Sequence, residues 1–133
     1  MFTDIDHIGL VVQDLDEALA LYSRAFMMHD WERIAMPDRY MEIAVARVGD
    51  TLLEIIAPTS EEASFAKFLQ KHGPGMHHVA YRVEDITAAL AEIEGRGVEL
   101  IDKEPRLGMH HTLVAFLHPK STMGVLIELV QHQ

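Results

Sequence analysis

Hydrophobic residues along this 133-residue chain recur with two periods, and the order of those periods repeats. Residues 5–12 and 78–83 are short, apolar and rich in β-branched side chains, which predicts strands. Each leads into an Asp and a run with apolar residues at helical spacing, "DLDEALALYSRAFMM" (14–28) and "DITAALAEIEGR" (85–96). The Asp carboxylate can accept a hydrogen bond from a free first-turn amide, so both runs are predicted helices. Three strand-like runs follow in each half, at 31–36, 40–48 and 51–57 and again at 98–102, 112–117 and 124–130. Between the halves, "PTSEEASFAKFLQKHGPG" (58–75) reads as a loop, a short helix over 61–71 and a Gly-Pro-Gly turn. The pattern is βαβββ twice: module one over 1–58, a linking segment over 59–74 and module two over 75–133. A chain of this length suits one domain holding both modules.

Residue identities follow the same repeat. "HIGLVVQDLDEAL" (7–19) lies over "HVAYRVEDITAAL" (78–90) without a gap, matching His7 with His78, Val12 with Val83 and Asp14 with Asp85. "DTLLEII" (50–56) lies over "GVLIELV" (124–130), matching Glu54 with Glu128. The His-to-Glu separation is 47 residues in the first half and 50 in the second. Strand alternation puts Glu54 on a face with Leu52 and Ile56, and Glu128 with Leu126 and Val130. A carboxylate among apolar side chains is costly to bury unless something pairs with it. A single His on a strand is ordinarily a hydrogen-bonded structural residue, but the same His and Glu in both halves point to one shared ligand set. Two imidazoles and two carboxylates suit a borderline divalent cation such as Co, Zn, Ni or Mn, with positions left for water or substrate oxygens.

Composition narrows the chemistry. The chain has no Cys, which excludes disulfides, thiolate ligands and a thiol nucleophile. Its net charge of −10, with 11 Lys and Arg in no dense run, argues against a nucleic-acid partner. No apolar run approaches the ~18–20 residues that span a bilayer, and "MFTDIDHIG" has no signal-like character, so a cytoplasmic protein without a membrane partner is expected.

The duplicated pattern, with His on the first strand and Glu on the last strand of each half, resembles the vicinal oxygen chelate superfamily. The resemblance implies an α+β fold in which two βαβββ modules form a curved mixed β-sheet around a metal site, the glyoxalase-like fold. Within that superfamily "IDHIG", "FAKFLQKHGPGMHHVAYRVEDI", "RGVELIDKEPRLG" and "FLHPKSTMGVLIEL" resemble the methylmalonyl-CoA epimerase family. The likeness covers almost the whole chain and is most specific over 65–128. It implies a homodimer that epimerises (R)/(S)-methylmalonyl-CoA, or a closely related 2-substituted acyl-CoA, by removal and return of the α-proton. A Co-type divalent ion is implied, with His7, His78 and Glu128 as ligands and Glu54 where the family holds Gln or Glu. Glu128 and Glu42 are the implied catalytic pair, although 29–41 is shorter and less family-like. Glu42 shares a face with Tyr40 and Ala44, so a solvated edge carboxylate is an equal reading.

Phosphates of a CoA tail need cations, and Lys103, Arg106 and Lys120 are the candidates, each also readable as a solvated loop residue. "GMHHTLVAF" departs from the family, which usually carries small residues at His110 and His111. Both are candidate substrate contacts, with solvent exposure as the alternative. His77, beside His78 in the earlier "GMHH", is expected to be structural. A glyoxalase I-like lyase or a dioxygenase on the same scaffold is the second functional class, and a non-catalytic small-molecule binding protein the third. An iron dioxygenase is disfavoured by Glu54, a fourth candidate ligand.

Overall fold

Asp14 and Asp85 open the two long helices as their positions predict. The Asp14 carboxylate accepts from the Glu17 amide at 3.1 Å at the head of α1 (Leu15–Phe26). Asp85 does the same for the Ala88 amide at 3.0 Å, heading α3 (Ile86–Gly95), and between them lies α2 (Ala66–His72). The computed structural model describes residues 1–133, with eight strands besides these helices. They are β1 (Asp4–Val11), β2 (Glu32–Met36), β3 (Met41–Val48), β4 (Thr51–Pro58), β5 (Gly75–Arg82), β6 (Arg106–Leu107), β7 (Thr112–Leu117) and β8 (Ile127–His132). No helix is long and apolar enough to cross a membrane.

The chain divides into two compact units, Met1–Ile8 with His78–Gln133, and Gly9–His77. In the first the strand order is β1-β5-β8-β7-β6, with β5 and β8 parallel and β8 antiparallel to β7. Its core sets Ile86, Leu90 and Ile93 of α3 against Ala115, Leu117 and Leu129 of the sheet. In the second unit β2, β3 and β4 form an antiparallel meander beside the end of β1, and Leu15 packs on Ala44, Ile55 and Ala57. The two helices each carry one apolar stripe, and each stripe has a sheet face to cover.

Three predicted elements differ. Residues 98–102 form no strand beyond one bridge from Leu100 to Leu117. The amides of Ile101 and Asp102 both bond the Phe116 carbonyl, at 3.0 and 3.1 Å, and the Asp102 carboxylate accepts from the Phe116 amide at 2.8 Å. The chain therefore hooks on one residue where a ladder would need successive ones. The linking helix begins at Ala66, because Ser60–Phe65 is spent in turns, with the Ala63 amide bonded to the Ser60 carbonyl. The last strand begins at Ile127, because Met123 and Gly124 take left-handed conformations and the Gly124 amide folds back onto the Pro119 carbonyl.

The loop between β6 and β7 is strained. The Thr112 amide bonds the Met109 carbonyl at 3.2 Å, and the two residues between, His110 and His111, have φ of 53° and 57°. That is the mirror-image hairpin turn, which demands left-handed backbone at both central positions and favours Asn-Gly there. His tolerates the region better than most residues, yet each such position still costs about 1 kcal/mol or more. Replacing His111 by Gly is expected to raise stability by about 1 kcal/mol, read as a higher urea midpoint at unchanged slope. A lower midpoint would remove the strain assignment.

Candidate metal centre

Neighbouring strands β1, β5 and β8 each place one polar side chain in the interior of the first unit: His7, His78 and Glu128. All three are at most 6 % exposed. His7 Nε2 stands 3.1 Å from His78 Nε2 and 3.2 Å from Glu128 Oε2, and His78 Nε2 is 3.1 Å from the same oxygen. The imidazole planes are perpendicular, with centroids 5.1 Å apart, and Phe116 meets His78 edge-on at 5.8 Å. The rings are wedged by packing as well as by hydrogen bonding.

Two imidazole nitrogens and a carboxylate oxygen at contact distance repel one another unless protons or a cation lie between them. Ligand atoms bound ~2.0–2.2 Å from one ion stand about 2.8–3.6 Å apart at octahedral to tetrahedral angles, so the observed spacing lies in the range of ligands to one divalent ion. The donor set, two nitrogens and one oxygen with no sulfur, suits a borderline cation. Burial alone would raise the Glu128 carboxyl, but hydrogen bonds and charge from His7 and His78 outweigh it and bring its pKa down to about 2. Glu128 is therefore an anion at neutral pH.

A second carboxylate, not singled out in the sequence, lies beside this cluster. Asp6 is buried and its carboxylate takes hydrogen bonds from His7 Nδ1 at 2.7 Å, Arg82 Nη2 at 3.1 Å and His132 Nε2 at 2.6 Å. Burial again acts to raise its pKa, and the bonds from His7, His132 and Arg82 overcome it and hold the carboxyl well below the usual carboxylate range. The available signal was an Asp immediately before the strand His. Strand alternation turns adjacent residues to opposite faces, so an Asp next to a strand His carries no expectation of contact with it.

The remaining candidates stand in varied surroundings. Glu54 is buried on β4 of the second unit, opposite Val45 of β3. Glu42, on β3 between Ala35 and Ala57, is half-exposed and 3.7 Å from Arg33, which also bonds Asp16. Lys103 pairs with Glu94 at 2.7 Å on the surface. Arg106 lies 3.6 Å from Asp102 with its guanidinium over the Phe116 ring. Lys120 is exposed in a single 3-10 turn, Pro119–Ser121, and His110 and His111 are exposed at the strained turn. His77 meets the rings of Phe65 and Phe68 at 6.1 and 5.1 Å in the second unit, so the first His-His doublet divides between two environments.

This order of strands and helices, carrying a buried His-His-Glu cluster, defines an α+β protein of the glyoxalase-like type with a candidate metal centre. The chain belongs to the glyoxalase/bleomycin resistance protein/dioxygenase superfamily, whose model matches residues 6–116. Human mitochondrial methylmalonyl-CoA epimerase is 32 % identical over 128 residues, covering 96 % of this chain and 73 % of that protein. The ethylmalonyl-CoA/methylmalonyl-CoA epimerase of Cereibacter sphaeroides is 33 % identical over 133 residues, covering 98 % and 99 %. The methylmalonyl-CoA epimerase of Streptomyces coelicolor, solved as a single-residue variant in complex with 2-nitronate-propionyl-CoA, matches with a TM-score of 0.91. Its identity is 33 %, over 99 % of this chain and 96 % of that one. These relationships make the chain an enzyme of the isomerase class, of epimerase type.

The depressed carboxyl of Glu128 has a consequence for apo-protein stability. Its folded pKa lies below its ordinary value of 4.5, so its contribution is complete above about pH 4.5 and is lost as pH falls towards 2. Glu128→Gln is expected to lower apo stability at pH 7 and to flatten its decline between pH 4.5 and 2, measured by urea unfolding. An unchanged slope would show that the His contacts do not hold the anion.

Proposed function

We propose that this chain is a divalent-metal-dependent epimerase that inverts the 2-carbon of (R)/(S)-methylmalonyl-CoA or a closely related 2-substituted acyl-CoA. The observation that carries the reading is the mutual 3.1–3.2 Å approach of His7, His78 and Glu128. The epimerase relatives support it, and one was solved in complex with methylmalonyl-CoA and NH4+. His7, His78 and Glu128 are the proposed ligands, with Glu54 as the fourth, and cobalt is the proposed ion ahead of zinc, nickel or manganese. When bound, such an ion supplies Lewis-acid stabilisation of negative charge on a thioester oxygen, worth several kcal/mol.

The C–H bond to be broken lies between a thioester and a carboxylate, so loss of its proton leaves charge on oxygen. Inversion takes that proton from one face and returns one to the other, which needs two proton-carrying groups. Glu42 and Glu128 are the proposed pair. Glu128, held as an anion by two imidazoles, is a weak base while it keeps those contacts and gains strength only on leaving them. Lys103, Arg106 and Lys120 are proposed to meet CoA phosphates, and His110 and His111 to border the acyl group. A cytoplasmic homodimer of single-domain chains, with modules at 1–58 and 75–133, completes the proposal.

Incubation with methylmalonyl-CoA and Co2+ in D2O is expected to place deuterium on the α-carbon, and chelation to stop it. No label with metal bound would reject the epimerase reading. Glu42→Gln is expected to slow exchange about 10²–10⁴-fold while Co2+ content stays at the wild-type level. Equal loss of both would remove Glu42 from the pair.

A further inference from the structure

We propose that Asp6 is a positioning residue that presets His7 for an ion, with Arg82 and His132 bracing it; this rests on the reading that His7 is a metal ligand. One oxygen of the Asp6 carboxylate, Oδ2, takes the bond from His7 Nδ1 at 2.7 Å. The other, Oδ1, takes bonds from Arg82 at 3.1 Å and His132 at 2.6 Å. The Arg82 guanidinium can only donate, so the carboxylate stands as acceptor to it and to the two imidazole nitrogens. His7 therefore carries a proton on Nδ1, which leaves Nε2 as the nitrogen an ion would take. Nε2 is the atom that faces His78 and Glu128.

The opposite tautomer would set the Nδ1 lone pair against the Asp6 oxygen at 2.7 Å and leave its only proton on Nε2, the nitrogen an ion needs. A carboxylate hydrogen-bonded to the far nitrogen also makes an imidazole a more basic ligand.

The bracing is laid out by strand. β1 supplies the candidate ligand His7 with Asp6 just before it. β5 supplies His78 with Arg82 four residues on, and β8 supplies Glu128 with His132 four residues on. Four residues along a strand return to the same face, and β5 and β8 are parallel, so the two braces are displaced from their ligands in the same direction. A buried carboxylate costs several kcal/mol unless its lone pairs are filled. The three donors to Asp6 fill them even though Arg82 Nε stays buried without a partner.

Co2+ titration of the purified chain, followed by its visible absorption, tests the role together with long-range 1H–15N correlation spectra of the apo histidines. Asp6→Ala is expected to weaken Co2+ binding about 10–100-fold and to turn the His7 signal from Nδ1–H into a mixture of tautomers. Asp6→Asn, which keeps the shape and one acceptor oxygen, is expected to fall between Ala and wild type. It also serves where the Ala variant does not fold. His132→Ala and Arg82→Ala are expected to weaken binding by smaller factors in the same direction. Wild-type affinity and an intact Nδ1–H in the folded Asp6 variants would overturn the positioning role alone. A wild-type chain that takes up no Co2+ would overturn the metal reading itself, and this role with it.

Discussion

Two ionised carboxylates, Asp6 and Glu128, are buried in one sheet, and much of the first unit is arranged to answer them. Each would cost several kcal/mol if it stood alone in that interior. Glu128 is met by two imidazoles; Asp6 is met by an imidazole, a guanidinium and a second imidazole. His7 belongs to both groups, through Nε2 on one side and Nδ1 on the other. That shared ring ties the order of the three strands to the charge state of the interior, because moving β1 relative to β5 or β8 would strip donors from both anions at once.

The same arrangement governs what the interior can do. Hydrogen bonds strong enough to keep Glu128 an anion make it a good partner for a cation and a poor acceptor of a proton. The reaction that the relatives point to needs both properties somewhere, since charge has to be stabilised and a proton carried. In the proposed reaction those tasks are divided between a buried, imidazole-held carboxylate and the half-exposed Glu42. The environments of the two differ in that sense, with Glu42 paired to the exposed Arg33 at a longer distance than any of the bonds that hold Glu128.

The periphery obeys different constraints. Lys103 and Lys120 lie on turn-rich connections and Arg106 on the two-residue strand β6, and Lys103 and Arg106 are already paired with Glu94 and Asp102. Their interactions are exposed and individually weak, so a polyanion could displace them at small cost. The His110–His111 turn holds two left-handed residues where glycine or asparagine would rest more easily. Strain of that kind persists only where the surrounding hairpin enforces it.

Much of the architecture was legible in the chain. Helix and strand periods differ, an Asp ahead of an apolar stripe marks a helix start, and the recurrence of His and Glu in both halves singled out His7, Glu54, His78 and Glu128. Glu42 was named by resemblance and Lys103, Arg106 and Lys120 by the charge of the phosphates they would meet, and the structure leaves them as surface or half-buried residues. What periodicity could not supply is anything that depends on a partner distant in the chain. Residues 98–102 look like a strand but hook onto Phe116, because a hydrogen bond to Asp102 competes locally with a ladder. Asp6 looks like the wet neighbour of a ligand, yet Arg82 and His132, 76 and 126 residues away, bury and ionise it. Local pattern determines which elements form and which faces are apolar. Only the tertiary packing decides whether a polar side chain on such an element meets water or another charge, because that energy belongs to the pair and not to the residue.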